Sequence, residues 1–473
     1  MTSAMDAANE LRGRLHGELI DTADEGYDEA RAVFNAMIDR RPRLVARCGS
    51  VADVQQVLAM ARASGDTVAV RGGGHSAPGY GTVDGGVVID LSPLHAVQVD
   101  PDRRIARVQG GATWGRVDAA THTHGLATPA GIISTTGVGG LTLGGGHGYL
   151  TRKYGLTIDN LLEAEVVLAD GRTVTASETE HPELFWALRG GGGNFGIVTS
   201  FTFRLHPVGK VVCGATAWPV SETSNVLSWY REFMPQQSED LYGFFAVMTV
   251  PPSDTFPTAL HLHKACAVVW CYLGAPADAE DALSPVRAMR PAFDGIGEAP
   301  YPALQFTFDP LYPPGLQSYW RGEFFAALPD AALDAHAHFA EELPTMLSTM
   351  HLYPIDGRVN RVASNATAWA YRDVTYSQVV AGVDRDPGKA ADIKQWAVEY
   401  SDATRPFSVG AGYVNFMMAD EGETRIQATY RGNYDRLTRI KARYDPGNLF
   451  RVNQNIPPRP GGLAPDSADM GVA

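Results

Sequence analysis

The chain has 473 residues, a formal net charge of −14 and no apolar run approaching the ~18 residues that a membrane span needs. That acidic balance argues against a nucleic-acid partner, which calls for a basic face. Glycine is the departure from ordinary globular composition: 50 residues, about 11% against a usual ~7%, with no collagen-like period to absorb them.

The segment Met1 to Asp39 has neither a basic n-region nor an apolar h-region, so it reads as helix rather than signal peptide. The four cysteines (Cys48, Cys213, Cys266, Cys271) lack C-x-x-C spacing and read as reduced thiols, which fits a cytoplasmic protein. Asp24 to Arg41 carries helical spacing, ended by Pro42. Leu44 to Cys48 reads as a strand. Ser50 and Asp53 then form a capping box for a helix that runs to Gly65. Val68 to Val70, Val87 to Leu91 and Ala106 to Gln109 are strands, and Thr113 to Gly125 is a helix. Leu162 to Ala169 and Thr173 to Ala176 form a hairpin around Asp170-Gly171. His181 to Arg189 is a helix with proline in its first turn.

Three glycine clusters punctuate these elements: Arg71-Gly72-Gly73-Gly74-His75-Ser76, Ser134 to Tyr149, and Gly190 to Val198. Glycine permits positive φ and lets bare N–H groups approach a ligand, so each cluster suits a flat or phosphorylated molecule. None is the nicotinamide fingerprint, because no G-x-G-x-x-G stands between a strand and a helix with an acid about 20 residues on. His75 stands at the tip of the first cluster.

The texture changes after Pro207. Strands are expected over Gly243–Val250, Leu260–Tyr272, Tyr319–Phe325 and within Asn365–Val380, with helices over Asp278–Met289, Asp330–Leu347 and Lys389–Ala403. This pattern predicts an antiparallel sheet with helices on one face. His261 and His263 alternate on an expected strand, but no third metal ligand is spaced for them and no metal site is predicted. No internal repeat is visible. The tail, residues 460–473, has the composition of a disordered segment.

Five motifs, in order, resemble the berberine-bridge-enzyme-like FAD oxidoreductases of the vanillyl-alcohol-oxidase (p-cresol methylhydroxylase) superfamily. They are Arg71 to His75, the glycine run Gly137 to Gly148, Tyr154-Gly155-Leu156 with Asp159-Asn160, Glu183 to Gly196, and Tyr444-Asp445-Pro446 with Asn448 and Phe450. The match runs over about 47–207 and resumes over about 410–457; between them Ala366 to Arg372 also resembles the family. The resemblance implies an α+β fold: a two-part FAD-binding domain of the p-cresol methylhydroxylase type (1–207 and 406–459) with an inserted substrate domain (208–405), an antiparallel sheet covered by helices. It implies FAD bonded through His75 at the 8α-methyl. Many relatives carry a cysteine for a second bond where this chain has Ile133, so a single histidyl link is expected.

The same resemblance assigns cofactor contacts to Arg71, Gly72, Gly73, Gly74, His75 and Ser76, and to Ser134, Thr135, Gly139, Gly140, Thr142 and Gly146. It extends them to Asn194, Ile197, Val198, Tyr413, Asn415 and Asn453. A substrate O–H or N–H losing its proton calls for a base. Tyr413, Tyr371 and Tyr376 are candidates, with Lys153 or Arg372 as the cation that would lower a tyrosine pKa of ~10. Tyr413 serves equally well as a wall of the substrate site. The implied activity is an oxidase acting on an alcohol, sugar hemiacetal or amine, with molecular oxygen as acceptor. A dehydrogenase or oxidative cyclase is the alternative, since Thr136 replaces the valine or leucine that governs oxygen access in many relatives. A flavin-binding protein without catalysis is the reading from another class. Substrate and oligomeric state are not legible.

Overall fold

The structure, a computed structural model, describes residues 11–459. The expected disordered tail and the first ten residues of the expected N-terminal helix lie outside them.

The first half of the chain builds two main sheets, beside a two-stranded pairing of Leu126–Ala127 with His206–Pro207. Strands β1 (Glu18–Asp21), β2 (Leu44–Arg47), β3 (Val68–Arg71) and β4 (Val87–Asp90) lie in the order β1-β2-β4-β3. Within that sheet β2, β4 and β3 run parallel, and β1 is antiparallel to β2. Helix Val51–Ser64 is capped as read: the Ser50 side chain accepts the Asp53 N–H, and Gly65 closes the helix with φ +73. The second sheet is antiparallel. It consists of β5 (Val97–Asp100), β6 (Ile105–Gln109), β7 (Leu161–Val167), β8 (Thr173–Ser177) and β9 (Ile197–Arg204), in the order β5-β6-β9-β7-β8.

The middle of the chain forms a large antiparallel sheet. Its long strands are β10 (Lys210–Pro219), β11 (Leu241–Thr249), β12 (Lys264–Tyr272), β13 (Gln317–Phe325), β14 (Thr349–Pro354) and β15 (Tyr376–Asp384), in the order β10-β12-β11-β14-β15-β13. One face packs Phe245, Trp270, Met350, Leu352 and Val380 against helices Thr223–Phe233, Asp330–Glu341 and Ala390–Thr404. The opposite face, carrying Phe244, Tyr353 and Val379, packs against the first half of the chain in one core with Trp114, Leu156 and Phe201. Side-chain alternation along each strand decides which residue goes where. The fold is therefore α+β, with a large antiparallel sheet covered by helices on one face and packed on the first half of the chain by the other.

Several sequence expectations need correction. The helix expected over 24–41 is one short helix, Tyr27–Arg31. Beyond it the backbone bonds elsewhere: Phe34 N–H to Gly74 O at 3.1 Å and Ala36 N–H to Leu316 O at 2.9 Å. The Asn35 side-chain amide donates to Ala77 O and Ser318 O, each at 2.7 Å. These bonds replace helical ones and pin the segment between the two halves of the molecule. The strand expected from Leu260 begins only at Lys264, so His261 and His263 share no strand face. His261 instead turns its Nε2 toward the Ser253 and Phe256 carbonyls, at 3.1 and 2.9 Å. Residues 365–375 are not strand, and β14 was not anticipated.

Candidate functional site

The three glycine clusters meet the open face of the middle sheet at a cavity of about 380 Å³. Close backbone approach builds its floor. A Cβ on Gly73 would stand 2.4 Å from Gly137 N, and one on Gly137 would stand 2.3 Å from Gly73 N. No other residue type fits either position, so two loops 64 residues apart in sequence touch backbone to backbone. The run Val138–Gly144 beyond Gly137 is a short helix rather than a loop.

The cavity's shape suits a long ligand with an anionic middle. The consecutive N–H groups of Gly72, Gly73, Gly74, His75 and Ser76 make no hydrogen bond to the described residues, and all five residues line the cavity. Gly74 has φ +71, which curls these donors into a nest. Farther along, a Cβ on Gly140 or Gly193 would meet nothing within 4 Å, and Asn453 leaves its Oδ1 buried without a partner. Free donors, open glycine walls and an unpaired amide oxygen together fit a dinucleotide such as FAD.

His75 lines this cavity with its ring stacked on Phe34, centroids 3.9 Å apart. It is half-buried, at the cavity wall. Burial lowers its pKa from 6.5 to about 4, with the Thr135 carbonyl opposing. At neutral pH the imidazole is uncharged and keeps a nucleophilic lone pair.

Of the other expected cofactor residues, Gly139, Gly140, Asn194, Ile197, Val198, Tyr413, Asn415 and Asn453 also line the cavity. Arg71 does too, but its guanidinium is committed to Asp90 at 2.8 Å and to the Ala30 and Ala32 carbonyls. Ser134, Thr135, Thr142 and Gly146 stand outside the lining. Ser134 turns to Asp309, whose Oδ1 accepts its N–H at 2.9 Å. Thr135 presents only its carbonyl, toward His75. Thr142 is wholly buried within its helix. Gly146 gives its N–H to the Tyr413 hydroxyl at 2.9 Å.

Two of the three candidate tyrosines are not at the site. Tyr376 sits at a position of β15 whose side chain enters the helix-covered core beside Tyr230. Tyr371 donates to Ala428 O at 2.8 Å under the Arg431 guanidinium. Tyr413 is in the lining, and its hydroxyl accepts from Gly146 N–H and, at 2.7 Å, from Asn415 Nδ2. Burial raises its pKa well above 10. Neither proposed cation is beside it: Lys153 pairs with Asp240 at 2.5 Å, and Arg372 binds both oxygens of Asp159 at 2.8 Å. That last pair explains two motifs at once, since it ties Asp159 to the Ala366–Arg372 segment.

The end of the cavity formed by the middle sheet holds residues that carried no motif in the sequence. His351 and Tyr353 project from β14, with His351 Nδ1 2.6 Å from the Tyr353 hydroxyl. The alternation Thr349, His351, Tyr353 against Met350, Leu352 was the signal available. His147, inside the second glycine cluster, packs its ring 4.8 Å from Tyr413 and 5.0 Å from Tyr353 with both nitrogens unpartnered. Burial lowers the pKa of both His147 and His351 to about 3. Of the middle sheet's aromatics and their neighbours, Tyr312 and Trp320 line the cavity, whereas Tyr242, Phe244 and Trp270 are core.

Three histidines held neutral make the fold acid-sensitive. Above about pH 6.5 they are neutral folded or unfolded and contribute no pH dependence. As pH falls from 6.5 toward 4, the unfolded chain takes up protons that folded His75, His147 and His351 refuse. Stability is expected to drop across that window by up to about 1.4 kcal/mol per pH unit per histidine. Urea midpoints measured on flavin-free protein from pH 7.5 to 4.5 check this, and a flat series would refute it.

Comparison with known proteins agrees with the geometry. Residues 42–177 match the FAD binding domain family, and residues 412–457 match the berberine and berberine-like family. An uncharacterized FAD-linked oxidoreductase of Bacillus subtilis is 31% identical over 454 residues, covering 94% of this chain and 98% of the relative. The chain belongs to the berberine-bridge-enzyme-like family of FAD-linked oxidoreductases.

Other members of this family give the same picture. The xylooligosaccharide oxidase of Thermothelomyces thermophilus is 30% identical, over 90% of this chain and 89% of its own length. The crystal structure of 6-hydroxy-D-nicotine oxidase from Arthrobacter nicotinovorans superposes with a TM-score of 0.83 at 28% identity, covering 94% of this chain and 98% of that one. As a berberine-bridge-enzyme-like oxidoreductase, the chain carries an FAD-binding domain and is an enzyme. No helix among the described residues is long and apolar enough to cross a membrane.

Proposed function

We propose that this protein is an oxidase that removes two hydrogens from an alcohol, sugar hemiacetal or amine, with FAD bonded to His75 as hydride acceptor and oxygen reduced to hydrogen peroxide. The observation that carries the reading is the place of His75: its imidazole lines the cavity beside the backbone of the glycine clusters. Bound FAD supplies the two-electron chemistry, and the residues described here hold and shape. The nest Gly72–Ser76 would take the pyrophosphate, while Gly193, Asn194, Ile197, Val198 and Asn453 would hold the adenosine half. The names of the nicotine and oligosaccharide relatives support the oxidase reading. The single link is supported by Ile133, which lines the cavity, and by the four free, buried cysteines, none of which is in the lining.

The deciding experiment is acid precipitation of the protein. Colour and the mass of one FAD should remain with the polypeptide and localise to the His75 peptide. Aerobic turnover should then give one peroxide per substrate oxidised. Reduction of an artificial dye without peroxide would make the enzyme a dehydrogenase instead.

Tyr413 acts in this reading as a wall and anchor, because it keeps its proton and no cation stands beside it. Tyr413→Phe removes the acceptor for two N–H groups and is expected to lower kcat by less than ~10²-fold while the pH profile keeps its shape. A loss of ~10²–10⁴-fold together with the disappearance of one limb of the profile would assign it proton transfer instead.

A further inference from the structure

We infer that the substrate end of the cavity selects an uncharged, flat, largely apolar molecule whose one hydrogen-bond acceptor is met by His351 Nε2–H, and that it rejects oligosaccharides and cations. The inference rests on the cavity being the substrate site proposed above and narrows its substrate class.

Charge comes first. Among the described residues lining the cavity the fixed charge is Arg71, already neutralised by Asp90; no aspartate, glutamate or lysine is among them. A cation would lose its water there and find no counter-charge. An amine could therefore enter only in its neutral form.

Hydrogen-bonding capacity comes second. Of the polar side chains at this end, Ser318, Thr349 and Asn415 are already engaged, and both nitrogens of His147 are sealed from solvent. Ser318 Oγ accepts from Trp320 Nε1 at 2.8 Å, and Thr349 gives its hydroxyl proton to Val247 O at 2.7 Å. The Asn415 amide is shared among Gly140 O, Leu141 O and the Tyr413 hydroxyl. Val379, Ala381 and Val383 form an apolar row beside them. The many hydroxyls of an oligosaccharide would exchange water for surfaces that offer few partners.

His351 is the exception. Tyr353 keeps its phenolic proton, since burial raises its pKa well above 10, and its hydroxyl has His351 Nδ1 as its protein partner. If Nδ1–H gave its proton to the phenol oxygen instead, the phenol proton would have no protein partner, so we assign the phenol O–H as donor to Nδ1. A neutral imidazole carries one ring proton, which this bond places on Nε2. Nε2 has no protein partner and is not among the sealed, unpartnered atoms, so the nitrogen left free opens on the cavity. Tyr353 is thus a positioning residue that sets the tautomer, and His351 is the group that touches substrate.

The test is calorimetric titration of the purified flavoprotein with four probes: acetophenone, ethylbenzene, benzylammonium and xylobiose. Quenching of tryptophan fluorescence gives a second readout through Trp320. Acetophenone should bind about tenfold more tightly than ethylbenzene, as one hydrogen bond implies, and the other two should show no saturable binding. His351→Phe should bring the acetophenone-to-ethylbenzene ratio near one while ethylbenzene affinity is kept. His351→Gln, which retains an N–H donor, should restore part of the ratio, and Tyr353→Phe should give an intermediate value. A collapsed site would weaken both probes alike and leave the ratio unmoved. An unchanged ratio in His351→Phe, binding of xylobiose or benzylammonium as tight as that of acetophenone, or no saturable binding of any probe overturns the inference. Acid precipitation tests the underlying reading separately. Protein without flavin but with the expected ratios sinks the oxidase and keeps the His351 donor; flavin present with the ratio unmoved does the reverse.

Discussion

His75→Ala protein is expected to release all of its flavin into the supernatant on acid precipitation, where wild-type protein keeps it. The argument rests on geometry and protonation together. His75 lines the cavity, and burial holds its pKa near 4, so at neutral pH its ring offers a free lone pair. Ile133, at the position where the family resemblance expects a second, cysteinyl bond, has no thiol, and Cys48, Cys213, Cys266 and Cys271 are all outside the lining. The non-covalent part of the site survives the substitution. The N–H groups of Gly72 to Ser76 are backbone, so native His75→Ala protein should still bind added FAD reversibly, measured by gel filtration before and after denaturation. Flavin that stayed with the denatured variant would show a second anchor and end the single-link reading.

Lys441→Met is expected to destabilise the fold by about 3–5 kcal/mol, the cost of leaving a buried charge without its partner. Lys441 and Asp445 are both fully buried, 2.7 Å apart and one helical turn from each other. Lys441 Nζ also donates to Asn194 O at 2.7 Å and Phe450 O at 2.8 Å. Asp445 accepts the N–H groups of Leu449 and Phe450 at 2.8 and 2.9 Å. The pair thus joins helix Tyr434–Tyr444, the third glycine cluster and the segment that carries Asn453. Burial lowers the pKa of Lys441, and Asp445 opposes that shift. The double variant Lys441→Met with Asp445→Asn should recover part of the loss, because it removes both charges. Urea unfolding would measure each, and a single-variant loss below 1 kcal/mol would contradict the account. Because Asn194 and Asn453 lie on this framework, FAD affinity should fall with stability.

Much of the site was legible because glycine and histidine carry local signals. A glycine cluster after a strand announces close approach wherever the chain later folds, and all three clusters do reach one cavity. The Tyr-x-Asn element was also legible: Tyr413 and Asn415 meet the second cluster through Gly146 N–H and the Gly140 carbonyl. The misplaced residues share a different origin. Tyr376 and Val379 sit on one strand and differ only in parity, and parity says nothing about which face a helix will cover. The 24–41 segment has helical spacing, yet its backbone found partners at Gly74 and Leu316 that no local pattern contains.

By itself, then, the sequence determined the family, the FAD-binding architecture, the glycine walls and the histidine at their centre, because these depend on backbone freedom and short motifs. Tertiary structure alone decided that Gly73 and Gly137 touch, that Asp159 finds Arg372, and that His351 and Tyr353 face the cavity as a neutral pair. Those outcomes depend on contacts between residues far apart in the chain, and on burial, which sets protonation only after the fold has closed around each group.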